Sequence, residues 1–303
     1  MPRGKEGTVV IREGTQAIYN SAFCCSKVSE VKFPTSLREI KRASFPECPN
    51  LVSVHLNDEL EIIGAFAFSE CKNLENVYFG KSLKSIRAYA FEKDTKLCNI
   101  NFPKTLTIIG DAAFTGCPLE NVVIPPSVHK IGKQAFASTL KLKAYCYNKA
   151  LLMACIGPYY PASMHTMMLQ IGEREEIVLP KHNMENDLVE IDKCIRKFLK
   201  SDNVSDLVEI YKYGGDTLIK ILTAIKISET YNSTTSAKRY LRRMAEEIVK
   251  WARDENALID MISDSWVSDT ALKQMLNASQ KKGYTIANAY ILKKLNNKAN
   301  LHV

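Results

Sequence analysis

Cysteine and histidine are the side chains here with the most distinctive chemistry: the chain of 303 residues holds nine cysteines and five histidines. Cys48, Cys71 and Cys117 each stand three residues after a phenylalanine, and Cys25 stands two after one. Such a ladder of thiols is either a metal or redox stack, or a small side chain filling the same niche in successive layers. Asp94 and Thr139 take that niche at other steps, and a ladder with gaps is a poor metal site, so packing is the expectation. No two cysteines have C-x-x-C spacing, and an odd number of thiols suits a reducing compartment. Of the adjacent Cys24 and Cys25, one is expected at the surface, with no base beside it to lower its pKa.

His55, His129, His165, His182 and His302 share no metal-ligand spacing and no nucleophile partner. There is no phosphate loop and no G-x-S-x-G, and the isolated glycines of "QIG" and "YGGD" read as turns. The expectation is a non-enzymatic protein with no metal and no cofactor. One enzymatic alternative stays open: a pocket in the second half on which His182, Glu185 and Asp187 converge.

The elements that position these residues are set by a period. Phe23, Phe45, Phe68, Phe91, Phe114 and Phe136 follow one another at intervals of 22 or 23 residues. Five residues before each stands Ile18, Ile40, Ile63, Ile86, Ile109 or Ile131; fourteen before stands Val9, Val31, Val54, Val77, Ile100 or Val122. Apolar residues separated by one place, as in "VHL", "VYF" and "INF", lie on one side of a short strand and face inward. No coil of this size buries its anchors alone, so stability comes from stacking on neighbours. A repeat of this length with fixed apolar positions is the signature of a leucine-rich-repeat solenoid. The count predicts a seventh strand at Tyr145 and Tyr147, where the period stops.

The pattern L-x-x-V-x-F-P-x-x-L-x-x-I-x-x-x-A-F-x-x-C-x-x-L resembles the BspA-like (Treponema-type) leucine-rich repeat over about residues 7 to 147. The resemblance implies a curved solenoid and recognition of proteins, with secreted members acting as adhesins. The fold class expected is therefore α/β repeat: a leucine-rich-repeat solenoid of about six coils over residues 1–147, then a mostly α-helical domain with a short β-hairpin over 148–303.

In such a solenoid the residues flanking each inward Val or Ile project from a strand-lined face. The central ones are Ser53, His55, Asn76, Tyr78, Asn99 and Asn101, a mixture of amides and an amphipathic ring that suits recognition of a protein partner. Stacked Asn side chains can also hydrogen-bond to one another along a solenoid with no ligand at all.

After Tyr147 the chain changes character. Leu151, Leu152 and Ile156 are placed to cover the last coil, two short strands are expected around a turn at Gly172 to Arg174, and helices follow. Their core stripes are Leu188, Ile191, Ile195 and Phe198; Leu218, Ile221, Leu222 and Ile225; and Leu241, Met244, Ile248 and Trp251. Ser205 and Ser268 are the expected N-caps and Gly283 a helix stop. Residues 268–297 look like half of an ankyrin-type helix pair without the T-P-L-H element, and the expectation is a helical bundle that docks as a C-terminal cap on the solenoid.

The net charge of +8 is spread thinly, 19 Lys/Arg against 14 Asp/Glu in residues 1–147 and 22 against 19 beyond. The densest run, Lys238 to Arg243, reads as a solvated helix face. No nucleic-acid footprint and no membrane span is expected. "MPRGKEG" leads into "VVI" with no apolar leader, so a cytoplasmic location is expected, with the cell surface as the alternative. Val9, Val10 and Ile11 open the first coil behind only a few polar residues, and an exposed edge of this kind predicts self-association through the N-terminal coil or docking of a partner there.

Overall fold

The structure is a computed structural model that describes residues 6–157, 165–181, 185–231, 235–263 and 265–299. Each phenylalanine period closes one coil with two walls. The first wall is made of short parallel strands: Glu6–Val10 with Lys27–Lys32, Ser53–His55 with Asn76–Tyr78, and Asn121–Val123 with Lys141–Ala144. Within them Val9, Val31, Val54, Val77 and Val122 are buried while their neighbours face solvent, the alternation a pleated strand imposes.

The second wall was not legible as a sheet. The isoleucine anchors lie in two-residue strands, from Ala17–Ile18 through Glu39–Ile40, Ile62–Ile63, Ser85–Ile86 and Ile108–Ile109 to Lys130–Ile131, joined as one six-stranded parallel sheet. Between the walls the six anchor phenylalanines stack with centroids 4.8–5.6 Å apart and planes within 1–9° of parallel. Strand spacing sets this pitch, and it falls where stacked rings attract.

Two turn positions per coil are left-handed. Ser21, Ala43, Phe66, Tyr89, Ala112 and Gln134 precede the anchor by two residues, at φ of 49–59°; Cys25, Glu47, Glu70 and Lys93 follow it by two, at 52–61°. Gly116 takes the latter place in the fifth coil. A side chain with a Cβ pays about 1–2 kcal/mol there, so the stacked core and the ladder bonds between coils hold these turns in place. Close approach fixes one glycine: a Cβ on Gly80 would come within 1.9 Å of the Asn57 carbonyl oxygen.

The seventh strand is not at Tyr145 and Tyr147. Leu142 pairs with Val122, and Leu142 and Ala144 are the buried residues, while Tyr145 is 53% exposed. Earlier coils place the inward residue eight or nine positions after the anchor phenylalanine, whereas Leu142 follows Phe136 by six. Counting on at 22 or 23 therefore overshoots. Lys141 and Lys143 flank the inward residue of this strand. Thr166–Ile171 then adds to Lys141–Ala144 in parallel and buries Met167, Leu169 and Ile171. The first compact unit runs to Ile177, beyond the 147 at which the period ends.

Helix α1 (Lys149–Cys155) follows the last coil. Asn148 caps it by accepting from the Leu151 N–H, and Leu151, Leu152 and Ile156 are buried. The carbonyls of Met153 and Ala154 each accept a 2.9 Å bond, from the N–H groups of Gln134 and Phe136. These are the donors that, in earlier coils, reach the next coil along, so α1 completes the ladder.

The second unit, Val178–Val303, begins within strand Ile177–Pro180 and is mostly helical among its described residues. It contains α2 (Glu185–Ser201), α3 (Thr217–Thr230), α4 (Thr235–Arg243), α5 (Ala245–Trp251), α6 (Glu255–Met261), α7 (Asp269–Lys281) and α8 (Ile286–Ala299). Ile191, Ile195 and Phe198 are buried on α2, and Ile221 and Ile225 on α3. Trp251, expected in the third stripe, is exposed: the helix is interrupted at Met244, which resets the register between α4 and α5. Ser268 caps α7 as expected, and Gly283, at φ 74°, follows its end. Ser205 is not a cap; it lies inside a short turn of 3-10 helix capped by Asn203.

The terminal pair α7 and α8 packs against the preceding helices. Glu255 of α6 accepts from the Ala287 N–H at the start of α8. The Lys282 ammonium donates to the carbonyls of Val249, Lys250 and Ala252 at the end of α5, 3.0–3.2 Å away, where the helix dipole favours a cation.

Candidate functional site

The thiol ladder resolves into packing. Cys48, Cys71 and Cys117 are buried, and each thiol donates to the carbonyl of the preceding coil's anchor phenylalanine, at 3.3, 3.1 and 2.9 Å. Burial pushes the Cys117 thiol up, and hydrogen bonding to Cys48 together with burial does the same for Cys71. Asp94 takes the niche between them. One of its oxygens accepts the Cys71 N–H at 2.8 Å while the other has no partner, and burial holds the carboxyl well above the usual carboxylate range. Among the described residues no group of three His, Cys, Asp or Glu is arranged to hold a metal. Cys25 is exposed, its sulfur 3.4 Å from that of Cys24.

His55 and His129 serve unrelated surroundings: the first stacks on Tyr78, and Nδ1 of the second lies 3.4 Å from the Ser127 carbonyl. His182, His302 and the Glu185 side chain lie outside the described residues, and with them the expected convergence of His182 and Glu185 on Asp187. No described helix is long and apolar enough to cross a membrane.

The strand-lined face brings the six central residues together. Ser53 pairs with Asn76 and His55 with Tyr78, and a single bridge joins Asn76 to Asn99. The His55 and Tyr78 rings stack with centroids 4.3 Å apart and planes 13° from parallel, and Tyr78 remains 53% exposed.

The amides fall into two groups. Asn50, Asn57 and Asn73, at the coil edges, donate to carbonyls of the preceding coil: Lys27 at 3.3 Å, Leu37 at 2.9 Å and Pro49 at 2.7 Å. The side chains of Asn76, Asn99, Asn101 and Asn121 make no such bond among the described residues, and none to one another. All four are exposed.

Beyond the Asn76 to Asn99 bridge the strand pairing lapses, and the surface opens into two shallow grooves that share Ile100 and Asn101. One, about 210 Å3, is lined by Asn76, Tyr78, Phe79 and Asn99. The other, about 220 Å3, is lined by Phe102, Lys104, Asn121, Val123 and Tyr145. Tyr145 was missed as a face residue because the shortened last coil hid its register; the six-residue step from Phe136 to Leu142 was the available signal.

With this geometry in view, comparison with known proteins places the solenoid. Residues 16–143 match the model of the BspA type leucine rich repeat region in six copies. This part of the chain belongs to that repeat family. No curated protein matches the chain in sequence. Among solved structures it is similar to the leucine-rich repeat protein of T. pallidum, at 30% identity over 45% of this chain and 57% of that one, with a TM-score of 0.36. A leucine-rich repeat protein of Bacteroides ovatus is 22% identical over 49% of this chain and 53% of that one, with a TM-score of 0.30. The pneumococcal vaccine antigen PcpA is 21% identical over 57% and 34%, with a TM-score of 0.33. The chain thus covers 57% and 53% of the first two relatives' own lengths.

Proposed function

We propose that this protein is a non-enzymatic interaction module that recognises a protein partner with the strand-lined face, centred on Ser53, His55, Asn76, Tyr78, Asn99 and Asn101. One observation carries the reading: the face amides make no bonds with one another, while the edge amides do bond to the coils. Unpaired amides beside an exposed, stacked Tyr78 supply hydrogen bonding and a rigid apolar surface at low entropy cost. The two adjoining grooves give the partner's side chains relief to enter.

The test compares proteins captured from native lysate by the intact chain and by Tyr78→Ala/Asn99→Ala/Asn101→Ala. These exposed substitutions change stability by less than about 0.5 kcal/mol each, so the melting curves of the two forms coincide. A partner held by the intact chain and lost by the variant supports the face; identical captures refute it.

A cytoplasmic location fits the nine cysteines, none of which is in a disulfide and four of which are buried. The BspA-type repeat region favours a second reading, a cell-surface adhesin. Protease shaving of intact cells separates the two: loss of the protein from shaved cells selects the adhesin.

A further inference from the structure

The isoleucine wall carries surface features that the strand-lined face does not use. Immediately after each isoleucine anchor stand Tyr19, Lys41, Gly64, Arg87, Gly110 and Gly132 in successive coils. Large side chains occupy the first, second and fourth coils, and Gly64 leaves a step between Lys41 and Arg87. That glycine is fixed by packing, since a Cβ there would come within 2.6 Å of the Lys41 backbone. Coils in contact are about 4.8 Å apart, so Lys41 and Arg87 flank the step at roughly 10 Å from each other.

Two of the cations are held by rings, and none is neutralised. The Lys41 ammonium lies 4.3 Å from the Tyr19 ring centroid, and the Arg42 guanidinium 5.3 Å from that of Phe66. Lys41, Arg42 and Arg87 enter no ion pair among the described residues, whereas Lys81, Lys84 and Lys93 pair across coils with Asp58, Glu61 and Glu70. Ring contacts of this kind fix a cation's position without consuming its charge.

Phe66 and Tyr89 supply the apolar part. Their rings stack at 4.8 Å and 7°, half-buried, on backbones at φ 57° and 59°. The same turn position carries Ser21, Ala43, Ala112 and Gln134 in the other coils, so the turn does not require an aromatic residue. Neither ring belongs to the buried stack of anchor phenylalanines.

We propose that Lys41, Arg42 and Arg87, set around the Gly64 step beside Phe66 and Tyr89, bind an acidic peptide segment of a partner protein. Guanidinium groups take carboxylates in bidentate fashion, and the rings take an apolar side chain next to them. The span between Lys41 and Arg87 is covered by about three extended residues. Glu39 and Asp111 border the patch, which keeps it short; a nucleic acid needs a longer basic stripe. This surface is separate from the strand-lined face, so either assignment stands or falls without the other.

The test is fluorescence anisotropy of the full chain with a labelled peptide of alternating Glu and Phe at fixed ionic strength. Saturable binding is expected, weakened at least about tenfold by Arg42→Gln/Arg87→Gln and unchanged by Arg12→Gln/Lys72→Gln, which removes the same charge elsewhere. Phe66→Ala, the residue that the second and fifth coils carry at this turn, weakens binding too. The proposal is overturned if the peptide does not saturate, if both double variants lose affinity equally, or if phosphatidylserine vesicles or single-stranded RNA bind more tightly than the peptide.

Discussion

Asp94 shows how a single side chain departs from the pattern around it. Its niche is occupied by a thiol in the neighbouring coils, and a thiol there donates to a phenylalanine carbonyl. The carboxyl has one oxygen without a partner, and its pKa is raised well above the ordinary value by burial first, with Glu70 and Glu92 adding to the shift. In the unfolded chain it ionises near its ordinary value of 3.8. Its contribution to stability is therefore fully present below that value and is lost as pH rises through the higher folded value. Replacing it by the ladder residue, Asp94→Cys, removes both the orphaned oxygen and this fall. Urea melts are expected to give a gain of about 1–3 kcal/mol near neutral pH that shrinks toward pH 4. A gain that is the same at both pH values contradicts this account of the carboxyl.

At the scale of the element, the phenylalanine stack is the feature that the sequence announced most clearly and the one that bears the coils. Phe68 contacts the rings of Phe45 and Phe91 at 5.3 and 5.4 Å and is fully buried. Phe68→Ala is expected to cost about 3–5 kcal/mol and to lower the urea midpoint, because neither flanking ring can close the gap without leaving its own coil. An equilibrium urea melt measures this, and a loss below 1 kcal/mol would show that the layers slide together. The period located the anchors because every coil has the same interior. It misplaced the seventh strand because a fixed count carries no information about a shortened loop, which is settled by the pairing of Leu142 with Val122. Trp251 went astray for a related reason: helical spacing was carried through the interruption at Met244.

For the molecule as a whole, the two ends of the repeat array are unlike. The last phenylalanine coil has its donors met by the carbonyls of Met153 and Ala154; in the first coil the inward Val9, Ile18 and Phe23 are buried, and the outward Val10 and Tyr19 are 71% and 69% exposed. Self-association through the N-terminal coil is a proposal that rests on these outward apolar side chains beside the edge strand Glu6–Val10, since an exposed apolar strand edge recruits another chain. Sedimentation velocity is expected to show a mass that rises with concentration in the intact chain and stays monomeric in Val10→Lys. A monomer at every concentration rules the association out.

What the sequence determined by itself is the repeat: its period, its inward residues, the packing role of the thiols, and the face on which Ser53, His55, Asn76, Tyr78, Asn99 and Asn101 gather. These depend on local spacing and on contacts between equivalent places in adjacent coils, both of which a periodic sequence states outright. Only the tertiary structure decided that the isoleucines form a second sheet, that Tyr145 borders the face, that α1 meets the last coil's donors, and that the face amides are unpaired. Each of these turns on which group lies across from which in space, and two chains with the same period can differ in all of them.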